Sequence, residues 1–196
     1  MIHLIHVIAK NITNEFFVNR LETEIDKAKF EYGLVLFIEI VLDIIGFAIL
    51  GMLFGNMALL AVYLIAFAIA RMNAGGYHAK TFLGCFITIA ILALASIHIV
   101  SHIGGDSVLY IILAGISGAI IVAIAPVDSA EKPLGTQHRR RLRKKTLNSI
   151  LSLVVLCILL NALGFKAGTC TICMAIIGQM LSMMPVYLSR RRNRIV

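Results

Sequence analysis

A histidine and a cysteine seven residues apart, His78 and Cys85, stand in the stretch RMNAGGYHAKTFLGC (71–85) of a chain that is otherwise strongly apolar. Cysteine is an effective nucleophile as the thiolate, and a neighbouring imidazole can take its proton and later return it to a leaving amine. Histidine suits that exchange because its ordinary pKa lies near neutral pH. Taken alone, such a pair is more often a small packed cysteine and an interfacial histidine than a catalytic couple.

Geometry narrows the choice. Seven residues of unbroken α-helix put both side chains on one face but about 10 Å apart along the axis, beyond hydrogen-bond reach. For the two to act together, the chain from Gly75 to Gly84 cannot be a straight helix. Gly75, Gly76 and Gly84 supply the needed backbone freedom. Non-helical backbone is tolerated at membrane depth where protein or a wet cavity covers it.

The elements that position these residues follow from composition. Of 196 residues, 60% are hydrophobic and 14% charged, with no Trp, whereas soluble chains are roughly half apolar and about a quarter charged. The pattern reads as an all-α integral membrane protein of one domain over 1–196. Six runs approach the ~20 apolar residues that a spanning helix needs: 34–54, 56–70, 82–101, 107–127, 147–165 and 168–188. They define a transmembrane bundle over 33–188 and a basic tail over 189–196.

Residues 1–32 interleave five acidic and four basic side chains with apolar ones, so they lack the uninterrupted apolar core of a cleavable signal. Ile5, Ile8, Ile12 and Phe16 recur at helical spacing, then Leu21, Ile25, Ala28 and Tyr32. An amphipathic interfacial helix or helix pair fits, as does a helix packed on the protein's own loops.

Seven of the eighteen Lys and Arg residues lie in 128–146 and four in 189–196, which places both segments in the cytoplasm. Counting spans backwards puts 71–81 and the N-terminus on that side too. Arg71 and Lys80 thus fall at the inner membrane boundary without having been used to set the topology.

Arg71, Gly75-Gly76, His78-Ala79-Lys80 and Cys85 together closely resemble the motif of the AgrB family, bacterial membrane peptidases that process autoinducing-peptide precursors in quorum sensing. The resemblance extends to the amphipathic start, the six runs and the loop APVDSAEKPL (125–134). It implies a cysteine endopeptidase of the cell membrane, with His78 as general base and Cys85 as nucleophile, and no cofactor. The implied partner is an AgrD-like propeptide with an amphipathic helix, a central Cys or Ser and an acidic tail. Cys85 would attack the carbonyl before the tail, and the resulting thioester would pass to the internal thiol or hydroxyl, closing a thiolactone or lactone. The resemblance also favours a homodimer. Arg71 would position substrate carboxylates or brace the glycine turn, and Lys80 would reach to the interface. Arg139, Arg140 and Arg141 would cradle the acidic tail, although topology and anionic lipid explain these arginines without a nucleic acid.

Other polar residues have plainer readings beside functional ones. Glu39 and Asp43 share a helix face inside the first span; one could orient His78 or neutralise Arg71, or both could make polar contacts between helices. Asn161 and Gln179 read as interhelical hydrogen-bonding residues. Backbone N–H groups near Gly84 and Cys85 are candidates for holding an oxyanion. His98, His102 and Asp106 recur every four residues, a spacing open to metal ligation, and with the intramembrane carboxylates they define the alternative of a small metal or solute transporter. No metal is assigned. Cys170 and Cys173 form a CxxC that reads as membrane packing or a redox pair, and Cys157 reads as packing.

Overall fold

A computed structural model describes residues 2–17, 23–76, 81–103, 106–126 and 136–193. Its regular structure is helical: α1 (Ile2–Phe17), α2 (Glu24–Leu53), α3 (Met57–Ala74), α4 (Phe82–His98), α5 (Ser107–Ile124), α6 (Thr136–Ala162) and α7 (Lys166–Asn193). A π-helical turn, Ile99–Ile103, extends α4. Helices α2 to α7 supply six segments long and apolar enough to cross a membrane, so the chain is an all-α, multi-pass membrane protein.

Two helices begin well before their apolar runs. α2 starts at Glu24 and α6 at Thr136, because Glu, Lys and Arg are good helix formers and hydropathy marks only the stretch in hydrocarbon. The charged segment 24–32 is therefore continuous with the helix of the first span. Thr23 caps α2 by accepting the Asp26 N–H at 3.3 Å. At the other end Gly55, with φ +67°, turns the chain into α3.

The chain forms two compact units. The first comprises α1, α2 and the opening turns of α4. Here α1 buries Ile5 and Ala9 against Val35, Leu34 and Ile38, while the Thr13 hydroxyl donates to the Ala9 carbonyl at 2.8 Å. The buried line is thus Ile5-Ala9-Thr13, and Ile8 and Ile12 point outward. Phe16 stacks on Phe30 at 5.0 Å between centroids and closes the α1–α2 hairpin. Farther along α2, Phe47 packs on Phe86 of α4 with centroids 4.8 Å apart. A Cβ on Gly46 would lie 2.7 Å from that Phe86 ring, so the glycine admits the contact.

The second unit comprises α3, the remainder of α4, and α5 to α7. α7 is its hub, packing against α3, α5 and α6. Small residues sit at the crossings because two helices without a hydrophobic driving force between them gain by close backbone approach. Gly178 of α7 lies under the Tyr63 hydroxyl of α3, where a Cβ would collide with it. Gly118 of α5 likewise meets Ile150 of α6, whose Cγ2 would be 2.6 Å from an added Cβ.

Candidate functional site

The structure breaks the helix where the histidine–cysteine spacing requires it. α3 ends at Ala74, and Gly75 follows with φ +75° and ψ −164°, a conformation that is essentially restricted to glycine. Gly76, at φ +156°, continues the departure. The Gly75 N–H donates back to the Arg71 carbonyl at 3.0 Å, so Arg71 braces the turn through its backbone. Its guanidinium lies over the Phe67 ring, 5.7 Å from the centroid, within cation–π range. Phe67 in turn stacks on buried Tyr63 at 5.9 Å, and the ladder Tyr63-Phe67-Arg71 runs up one side of α3.

From α7, the fully buried Gln179 donates its Nε2 to the Gly75 carbonyl at 2.6 Å. Ser182 fixes that amide, donating to the Gln179 carbonyl at 2.8 Å and lying 3.1 Å from its Oε1. A Cβ on Gly76 would fall 3.2 Å from Ser182 Oγ. Gln179 therefore makes the interhelical bond its residue type suggested, and its partner is the glycine turn itself. Asn73 adds a link to α6, its Nδ2 donating to Ser149 Oγ at 3.3 Å.

Cys85 stands half-buried in the first turn of α4. Thr81 caps this helix end: its Oγ1 accepts the Gly84 N–H at 3.1 Å, and its carbonyl accepts the Cys85 N–H at 3.1 Å. Two expectations change as a result. Gly84 is inside α4, its carbonyl accepting the Thr88 hydroxyl at 2.8 Å, so of the three glycines Gly75 and Gly76 supply the unusual backbone. The N–H groups of Gly84 and Cys85 are both engaged by Thr81, and an oxyanion would have to displace it. Thr81 carries no chemistry of its own; the signal for it is a threonine immediately before an apolar run. His78 and Lys80 lie outside the described residues.

Arg139, Arg140 and Arg141 are exposed on the first turns of α6. The Asn73–Ser149 and Gly75–Gln179 bonds place the end of α3, the opening half of α6 and the closing half of α7 at one end of the second unit. Glu39 and Asp43 are half-buried on α2. Asp43 Oδ1 is buried with no hydrogen-bond partner among the described residues, on the same helix face as Gly46 and Phe47.

The remaining clusters resolve differently from their sequence spacing. His98 and His102 are ring neighbours with centroids 4.5 Å apart, but the Asp106 carboxylate accepts the Val108 N–H at 3.0 Å and caps α5. Among the described residues no group of three His, Cys, Asp or Glu side chains is placed to hold a metal ion. Cys173 pairs with Cys157 across α6 and α7, sulfur to sulfur 3.6 Å, and not with Cys170 of the CxxC. All four cysteines are free thiols.

The sequence matches the AgrB family, Accessory gene regulator B, over residues 5–183. It is similar to Putative AgrB-like protein 2 of Clostridium perfringens (strain 13 / Type A), 31% identical over 155 residues that cover 75% of this chain and 70% of that protein. A Putative AgrB-like protein of Clostridium perfringens (strain SM101 / Type A) is 30% identical over 159 residues, covering 77% and 72%. No solved structure matches.

Proposed function

The chain belongs to the AgrB family and so has a role in accessory gene regulator peptide processing; from that premise we propose that it is a membrane cysteine endopeptidase with Cys85 as nucleophile and His78 as general base. The observation that carries the reading is the position of Cys85. It lies in the first turn of a Thr81-capped helix that follows the Gly75-Gly76 break, and the partial positive charge of a helix N-terminus stabilises negative charge on sulfur.

The substrate is an AgrD-like propeptide. His78 takes the Cys85 proton, the sulfur adds to the carbonyl before the acidic tail, and the collapsing adduct expels the tail as an amine that His78 protonates. The product is a thioester between Cys85 and the shortened peptide. A thiol or hydroxyl tethered in the same peptide attacks next, favoured over water by its effective concentration and by limited water at the boundary. The ring closes as a thiolactone or lactone, and Cys85 recovers its proton.

Supporting roles follow from placement. Arg71 and the Gly75-Gly76 turn hold the entrance to this segment, and Lys80 anchors it at the interface. Arg139, Arg140 and Arg141 attract the acidic tail. Asp43, with its unpartnered oxygen on the α2 face that meets Phe86, is the candidate to orient a cationic or protonated group. The protein sits in the cytoplasmic membrane as a homodimer with both termini and the motif inside. The shared end of α3, α6 and α7 agrees with the even span count behind that orientation.

Cys85→Ala and His78→Ala should each abolish cleavage of a cognate propeptide by purified, reconstituted protein while leaving insertion and thermal stability unchanged. Substantial tail release by Cys85→Ala would remove the nucleophile assignment.

A further inference from the structure

Between α5 and α6 runs an apolar groove of about 470 Å³, bordered on one side by Gly115, Ala119 and Val122 and on the other by Leu147 and Leu151. Its single cationic lining residue is Arg143. The Arg143 Nε donates to the Val122 carbonyl at 3.1 Å, which ties the guanidinium to the groove and leaves its other nitrogens for a further acceptor.

Charge and shape specify the occupant together. Arg139 and Arg140 precede Arg143 by four and three residues, while Leu147, Ile150, Leu151 and Val154 follow it by four, seven, eight and eleven. All share one face of α6. That face is cationic at one end and apolar along the groove. From Arg143 to Val154 the helix rises about 16 Å, roughly half of the ~30 Å hydrocarbon core and so about one leaflet. A soluble anion would use the cations and leave the groove empty, and a partner helix would follow the groove through both leaflets. A phospholipid has the matching length and polarity.

We infer that the α5–α6 groove binds one anionic phospholipid, its phosphate on Arg143 and an acyl chain lying along Gly115, Ala119 and Leu151. Gly115 keeps the chain's path open: an added Cβ there would meet nothing within 4 Å, so the space belongs to something outside the protein. The site lies away from Cys85 in sequence and does not depend on the peptidase reading.

The full-length protein is reconstituted in phosphatidylcholine vesicles doped with phosphatidylglycerol carrying a diazirine near the end of one acyl chain. After irradiation, labelled peptides are mapped by mass spectrometry. Label should concentrate on the groove peptides of α5 and α6 above the level on the outward face of α2. It should fall about fivefold with Arg143→Gln, the contribution of one basic residue near anionic lipid, and largely persist with Arg143→Lys. Gly115→Leu, whose Cβ would meet nothing within 4 Å, should reduce groove label to the α2 level while the cations remain. Phosphatidylcholine carrying the same diazirine should label groove and α2 alike. Inorganic phosphate, compared with chloride at equal ionic strength, should leave the label in place.

Equal labelling of groove and α2, unaffected by either substitution, would overturn the site in favour of ordinary boundary lipid. An unlabelled groove in protein that runs as a dimer would assign it to a second copy. Displacement of the label by an acidic peptide would assign Arg143 to that peptide together with Arg139, Arg140 and Arg141. Either outcome would overturn the lipid proposal and leave the Cys85 chemistry untouched.

Discussion

At the scale of single residues, the unusual backbone is concentrated at Gly75, whose carbonyl also receives the Gln179 amide. A side chain at φ +75° and ψ −164° costs about 1–3 kcal/mol. Gly75→Ala should therefore lower thermal stability by that amount and reduce propeptide cleavage. Gly84→Ala should spare the backbone, because Gly84 is helical and does not have positive φ. Equal effects of the two substitutions on cleavage would show that the turn conformation is not what matters. The residue types of this segment were legible in the sequence, since glycines beside a reactive pair announce a break. What held the break was less so. Gln179 could be read as an interhelical donor but not assigned to Gly75, because the pairing depends on the register of helices 104 residues apart. Thr81 was legible only as a cap whose helix had to be placed first.

At the scale of elements, the positions of the spans follow from hydropathy because hydrocarbon thickness sets the length of an apolar run. Their ends do not, as the charged openings of α2 and α6 show. The α1 stripe was also divided differently. The Ile5-Ala9-Thr13 line goes to α2 while the larger Ile8 and Ile12 turn outward, a choice that hydrophobicity alone does not make. The Cys157–Cys173 pairing likewise depends on how Gly164, at φ +84°, sets α6 against α7. Close approach of α3 and α7 gives a test at this scale. Gly178→Ala would drive a methyl group into the hydroxyl of Tyr63, which is fully buried and stacked on Phe67. Stability should drop by about 1–3 kcal/mol, and much of the loss should return in the double variant Gly178→Ala/Tyr63→Phe, which removes the obstructing oxygen. Additive losses in thermal denaturation would place the strain elsewhere.

At the scale of the whole molecule, orientation rests on the distribution of basic residues over 128–146 and 189–196. The shared end of α3, α6 and α7 fits the alternation of those spans. Single cysteines introduced as Thr136→Cys and Asn193→Cys, in a background lacking the native four, should react only from the cytoplasmic side. Labelling of the Thr136→Cys variant by an impermeant maleimide in intact cells would reverse the topology and move the motif to the outer boundary.

The account as a whole places a covalent thioester on Cys85 between tail release and ring closure, and trapping that species tests it most directly. With a propeptide whose internal nucleophile is replaced by Ala, the tethered acceptor is gone and the acyl-enzyme should accumulate. Intact mass analysis should then show the protein plus the tail-less peptide, mapped to Cys85 and released by hydroxylamine, which attacks thioesters readily and amides poorly. Production of tail-less peptide with no Cys85 adduct, even on rapid quenching, would contradict the account and require direct hydrolysis by another group.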